Sequence, residues 1–306
     1  MQISVASSSL IAVPIIEAVL ASDHSLASII TTPDKKSGRG QVLTPTDIAV
    51  WGEERGYAIG KPFDTPTLNQ HLLAVQPQLI ITASYGRLIP VEVLHGPRFG
   101  WLNVHFSLLP RWRGAAPVQW ALLEGDAVTG ISIFKLDKGM DTGPIYFQEE
   151  VEISHSDSTS DLLARMSELA GRRIMDVVVN IQKGIKPVAQ PTAGVTLAPK
   201  ISKEMAKIDW NTGADLILKK MRSLEDRPGT WSTFRADRIA IHRISESLLP
   251  NSLNNPGEIA LVDETLLIRC QDSTLAIHEL TPSGKKRMSG AEFARGARFT
   301  GGEHFE

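Results

Sequence analysis

Near residue 184 the sequence changes its pattern, and that change restricts the fold more than any other feature. Up to that point short apolar runs of strand length alternate with longer segments of helical period. The spacing predicts strands over 3–6, 26–31, 79–82, 102–106, 130–134 and 144–150. It predicts helices over 11–20, 67–75, 118–123 and 161–181, and another that Thr46 or Asp47 caps and that runs to Arg55. Alternation of this kind builds a mainly parallel, Rossmann-like α/β sheet, because parallel neighbours need a crossover and a helix supplies it. Residues 184–199 then carry Pro187, Pro191, Pro199 and two glycines with no helical period, and read as a linker. Beyond it come one helix over 212–223 and strands over 231–235, 239–244, 257–262, 265–270 and 274–280. Short strands at that spacing suit a small β-barrel. The expected organisation is a sheet domain over 1–185, a linker over 186–203 and a barrel domain over 204–306. A chain of 306 residues is long enough to fill two such cores.

Several function classes drop out on composition and motif. With 42% hydrophobic and 22% charged residues and a net charge of −2, the chain has the make-up of a soluble globular protein. The single Cys270 excludes an internal disulfide and a cysteine-based zinc site, and fits a reducing compartment. The apolar stretch 10–21 is too short to span a bilayer, contains Pro14 and Glu17, and follows no basic run. No signal peptide, no membrane span and a cytoplasmic location are therefore expected. Walker A, HExxH and CxxC patterns are missing, and Gly38-Arg39-Gly40 lacks the third glycine of a dinucleotide fingerprint. Lys35, Lys36 and Arg39 lie in a long polar loop over 33–44, a composition able to grip phosphates.

The chemistry concentrates between Trp101 and Pro144. Asn103 and His105 are two residues apart in a strand, so period 2 points both side chains to one face. The carboxyl edge of an open α/β sheet is where ligands bind. Downstream, the run KLDKGMD holds Asp137 and Asp141, and spacing does not separate them. An amide, an imidazole and a carboxylate brought together can stabilise an oxyanion, move a proton and orient the proton carrier.

With Asn103-x-His105, then Ser107-Leu108-Leu109-Pro110, Arg113-Gly-Ala-Ala-Pro117 and Asp141-Thr-Gly143, the sequence resembles the folate-dependent formyltransferases along nearly its whole length. The resemblance implies formyl transfer from 10-formyltetrahydrofolate without a metal. By the same resemblance Asp141 is preferred over Asp137, completing a catalytic trio with Asn103 and His105. Ser107, Leu108, Leu109 and Pro110 would line the folate pocket together with Tyr85, Arg87 and Leu88. The loop 33–40 resembles an insertion that meets tRNA through Lys35, Lys36 and Arg39. The stretches 198–210 and 281–288 resemble the entry and close of an OB-like, tRNA-contacting domain. Initiator methionyl-tRNA is then the expected acceptor, with the protein acting as a monomer. Two departures stand out: Ser7-Ser8-Ser9 replaces Gly-Thr-Pro, and Glu225-Asp-Arg-Pro-Gly229 replaces Asn-Pro-Trp-Pro-Gly.

Overall fold

The computed structural model describes residues 1–37, 40–225, 228–250, 252–299 and 302–306. Its contacts divide into two compact units. One comprises Met1–Val118, Ala127–Ile153 and Ser160–Pro199, the other Gln119–Asp126, Ser154–Thr159 and Lys200–Glu306.

The first unit is built on a seven-stranded sheet: β1 (Gln2–Ala6), β2 (Ser25–Ile30), β3 (Ile59–Gly60), β4 (Leu79–Thr82), β5 (Trp101–His105), β6 (Val128–Lys135) and β7 (Ile145–Glu152). In space the order is β7-β6-β5-β4-β1-β2-β3. The five strands from β5 to β3 pair in parallel, whereas β6 is antiparallel to both neighbours. Residues 79–82 are buried throughout, as an uninterrupted apolar run requires when helices cover both faces.

Helix starts follow local chemistry. Pro14 sits at the first turn of Val13–Leu20, where its missing N–H costs nothing. Thr46 caps Asp47–Glu53 through the Ala49 N–H, and Asp64 and Thr67 form a capping box on Thr65–Val75. The long helix Thr159–Gln182 buries a stripe that includes Leu162, Met166, Ile174 and Val177. Among the described residues no helix is long and apolar enough to cross a membrane.

Two stretches differ from the reading of the sequence. The polar loop 33–44 contains a short hairpin, Lys35–Ser37 against Val42–Thr44, which the β-favouring Val42 and Thr44 support. Residues 188–198, expected within a linker, are bonded into the first unit. Val188 exchanges backbone hydrogen bonds with Ile145 (2.7 and 2.8 Å), and Leu197–Ala198 pairs in parallel with Arg113–Gly114. Prolines and glycines describe an extended backbone, but they do not say whether that backbone hangs free.

The second unit is a curled antiparallel sheet. Trp231–Phe234, Asp237–Glu246, Thr274–Pro282, Thr265–Arg269 and Ile259–Val262 lie side by side in that order. Residues 303–306 bond to both edges: Glu306 exchanges hydrogen bonds with Thr233, and Glu303 and Phe305 bond Ile259 and Gly257. Edge bonds that would otherwise be open are thereby used, and the sheet curls into an OB-like half-barrel. Its core includes Phe234, Phe293 and Phe305, packed edge to face with centroids 5.3–5.9 Å apart.

Candidate active site

Asn103 and His105 leave β5 at its carboxyl end and face one cavity of about 610 Å³. Period 2 puts them on the same side. The neighbouring β4 ends in Thr82, which pairs in register with Asn103. The single hydrogen of the Thr82 hydroxyl lies between Asn103 Oδ1 at 2.7 Å and the Leu102 carbonyl at 3.0 Å, the shorter contact engaging the amide oxygen. Among the described residues nothing accepts from Asn103 Nδ2, which remains a fixed donor at the cavity wall.

His105 is 5% exposed. Its Nε2 lies 2.8 Å from the carbonyl oxygen of Trp112. A carbonyl only accepts, so Nε2 carries the hydrogen and Nδ1 presents its lone pair in the neutral ring. Burial pushes the imidazole below its ordinary value, while the Asp141 charge and the Trp112 carbonyl push the other way. Burial outweighs the carboxylate, reversing the upward shift that proximity to Asp141 alone would give. The balance favours the neutral imidazole.

Of the two candidate carboxylates, it is Asp141 that meets the histidine. Its Oδ2 lies 3.7 Å from His105 Nδ1 and accepts the Gly114 N–H at 2.8 Å. Asp137 instead accepts from Gly139 N at 2.9 Å and the Thr142 hydroxyl at 2.7 Å, closing its own turn. Two glycines make this arrangement sterically feasible. A Cβ on Gly143 would sit 1.8 Å from the Lys135 carbonyl oxygen, and one on Gly114, at φ +129, would sit 2.6 Å from that of Ala198.

Tyr85, Arg87 and Leu88 line the cavity. Arg87 donates to the Pro62 and Phe63 carbonyls, which ties this wall to the segment before the helix Thr65–Val75. Tyr85 is 5% exposed, and burial raises its phenol above the ordinary value. Ser107, Leu108, Leu109 and Pro110 stand elsewhere. The Ser107 hydroxyl donates to the Arg111 carbonyl at 2.6 Å, and Ser132 Oγ accepts from Leu109 N and donates to Ser107 O. This turn is pinned to β6 and does not line the cavity. Lys35 and Lys36 lie on the exposed hairpin, and Arg39 falls outside the described residues. Two groups at the site, Thr82 and the Trp112 carbonyl, were not singled out from the sequence. Only Thr82 left a signal, as a polar residue closing a buried apolar run at a carboxyl edge.

Residues 1–178 match the family model described as formyl transferase, and residues 200–298 match the formyl transferase C-terminal domain. The chain belongs to the formyl transferase family. Among its relatives in that family, a methionyl-tRNA formyltransferase of Salinispora tropica is 36% identical over 99% of both chains. One from Streptomyces coelicolor is 37% identical over 96% of both. Solved structures are similar at lower identity. A methionyl-tRNA formyltransferase from Clostridium thermocellum gives a TM-score of 0.57 at 18% identity, covering 81% of this chain and 94% of that one. HypX from Aquifex aeolicus in complex with tetrahydrofolic acid gives 0.68 at 18%, covering 96% of this chain and 47% of that one.

Proposed function

We propose that this chain transfers the formyl group of 10-formyltetrahydrofolate to the α-amino group of initiator methionyl-tRNA, giving the formylated methionine used to start translation in the cytoplasm. The observation that carries the reading is one juxtaposition: a pinned amide donor, a neutral imidazole and a carboxylate face a single cavity. The chain that holds them is alike, over 99% of its length, to a methionyl-tRNA formyltransferase.

The cavity fits the donor. At about 610 Å³ it lies within the range that encloses ligands of that size. Leu88, Ile89 and Val91 supply apolar wall for a flat ring system, and the backbone of Tyr85–Leu88 can meet its polar edge. Ser107, Leu108, Leu109 and Pro110, held to β6 through Ser132 beside Phe106 of the cavity wall, would meet the donor from that side.

The bound donor supplies an N-formyl carbonyl, and the residues present would handle the rest. A free α-amino group has a pKa of about 7.7–8.0, and an esterified amino acid is lower, so neutral amine is available without a strong base. Asn103 Nδ2 donates to the oxygen on which negative charge grows as the amine attacks. A donor in that role is worth on the order of 3–4 kcal/mol. His105 Nδ1 takes the proton shed by the amine, directly or through one water. The imidazolium so formed has Nδ1–H toward Asp141 and Nε2–H on the Trp112 carbonyl, so its charge is stabilised where it forms. His105 then returns the proton to the leaving nitrogen.

The hairpin lysines Lys35 and Lys36, with Arg39, would contact the tRNA backbone. The test is an assay with purified protein, formyl donor and charged initiator tRNA, with an amino-sugar nucleotide as control acceptor. Formylated methionyl-tRNA is the expected sole product; a formylated sugar would replace this reading.

A further inference from the structure

Residues 188–198 run across the back of the site and hold both of its arms. Gln190 uses its whole amide. Its Nε2 donates to the carbonyls of Asp141 and Gly143, each at 2.8 Å. Its Oε1 accepts from Nε and Nη2 of Arg113 at 3.1 and 2.6 Å. Two donors and two lone pairs in one plane are all that a glutamine has. Thr196 Oγ1 accepts the Trp112 N–H at 2.8 Å, and the Thr196 carbonyl accepts that of Arg113 at 2.9 Å. Trp112 in turn supplies the carbonyl that bonds His105.

The residues held this way are the ones that need holding. Asp141 has φ +52 and Trp112 φ +62, left-handed conformations that are uncommon without glycine. Such conformations cost energy and persist where the surroundings over-determine them. At 3.7 Å, moreover, Asp141 and His105 share no hydrogen bond, so the pair does not fix its own separation.

We infer that Gln190 and Thr196 are positioning residues for formyl transfer, Gln190 setting where Asp141 stands relative to His105 and Thr196 setting the Trp112 carbonyl that fixes the imidazole tautomer. The inference rests on the proposed roles of His105 and Asp141, and the test separates the two.

Full-length Gln190→Glu keeps the side-chain length and the Arg113 contact but sets a carboxylate against two carbonyls. Its kcat should fall about 10- to 100-fold, the scale of an ångström-level misplacement, with KM for both substrates nearly unchanged. Among the described residues Asp141 is the charged group that acts on His105, which also meets the Trp112 carbonyl and the Phe134 ring. The new carboxylate brings a negative charge of its own, so the limb is read in the uncharged Gln190→Met: as Asp141 recedes there, the acid limb of the kcat–pH profile should move to lower pH, which a purely structural role would not produce. Thr196→Val should lower kcat and shift the limb in the same sense, and Thr196→Ser should restore both. Wild-type kcat in Gln190→Glu and Thr196→Val overturns the inference, as does an unmoved limb in Gln190→Met and Thr196→Val or a Thr196→Val loss that serine does not rescue. Should Gln190→Glu fail to fold, the Thr196 pair decides. Asp141→Asn is measured in parallel: normal turnover there sinks the site reading and this inference together, whereas an inactive Asp141→Asn beside a normal Gln190→Glu sinks this inference alone.

Discussion

His105 in the first unit and the pair His242 and His278 in the second place one residue type in two electrostatic settings. Burial lowers all three imidazoles. The charges around them differ. His105 faces a carboxylate, so its cationic form has a partner when a proton arrives. After burial, the largest influence on His242 is Arg287 and on His278 is Arg243, both of which oppose protonation, with Glu279 opposing them more weakly. His242 and His278 bond the hydroxyls of Thr281 and Ser245, each at 2.8 Å, and serve as neutral polar links between strands. Desolvation by itself therefore does not mark a proton-transfer histidine. The sign of the nearest charge does.

The sharpest way to break this contrast is to remove the carboxylate. Asp141→Ala should reduce turnover by roughly 10²–10⁴-fold, the range of a positioned proton carrier, with the fold retained by circular dichroism. Near-normal turnover would leave His105 no different in kind from His242. Next, Asn103→Ala should cost about 10²–10³-fold in kcat, measured in single-turnover assays, because the Thr82 hydroxyl, once relieved of Asn103, still has the Leu102 carbonyl as its acceptor at 3.0 Å.

pH sharpens the comparison further. A base whose folded pKa is depressed binds fewer protons folded than unfolded, so stability rises with pH across the interval between the two values. His105, His242 and His278 should all contribute stability that is complete above the unfolded value of about 6.5 and declines as pH falls through the folded values. Denaturation midpoints from pH 7.5 down to 5 would show it. His278→Gln should make that decline shallower and leave kcat as it was. A fall in kcat would place His278 in the reaction and remove the distinction.

The hairpin gives the smallest effect. Replacing Lys35 and Lys36 with Ala should weaken use of tRNA and spare the folate KM. The salt dependence of tRNA binding should become less steep, by about 0.9 in slope for each phosphate that is no longer neutralised. An unchanged slope would make them ordinary surface.

Much of this was legible in the linear chain because it depends on short-range patterns. Strand 79–82 is apolar end to end, and Asn103 and His105 share a face because strands alternate. The break near residue 184 marks where one pattern stops, and the family motifs around 103–117 and 141–143 name the chemistry. What stayed hidden depends on who lies next to whom. Asp137 and Asp141 have the same side chain and similar turns, and only the fold shows Asp137 spent on Gly139 and Thr142 while Asp141 faces the histidine. The Ser107–Pro110 motif is plain in the sequence, but its anchoring to β6 through the Ser132 hydroxyl is not. The antiparallel turn of β6 and the docking of residues 188–198 leave no periodic trace. Local sequence sets the periodicity, turns and residue types of this protein. The tertiary structure decided which carboxylate meets His105, which ring nitrogen is free and which distant glutamine bonds the Asp141 backbone, because hydrogen-bond partners and burial arise only when remote segments meet.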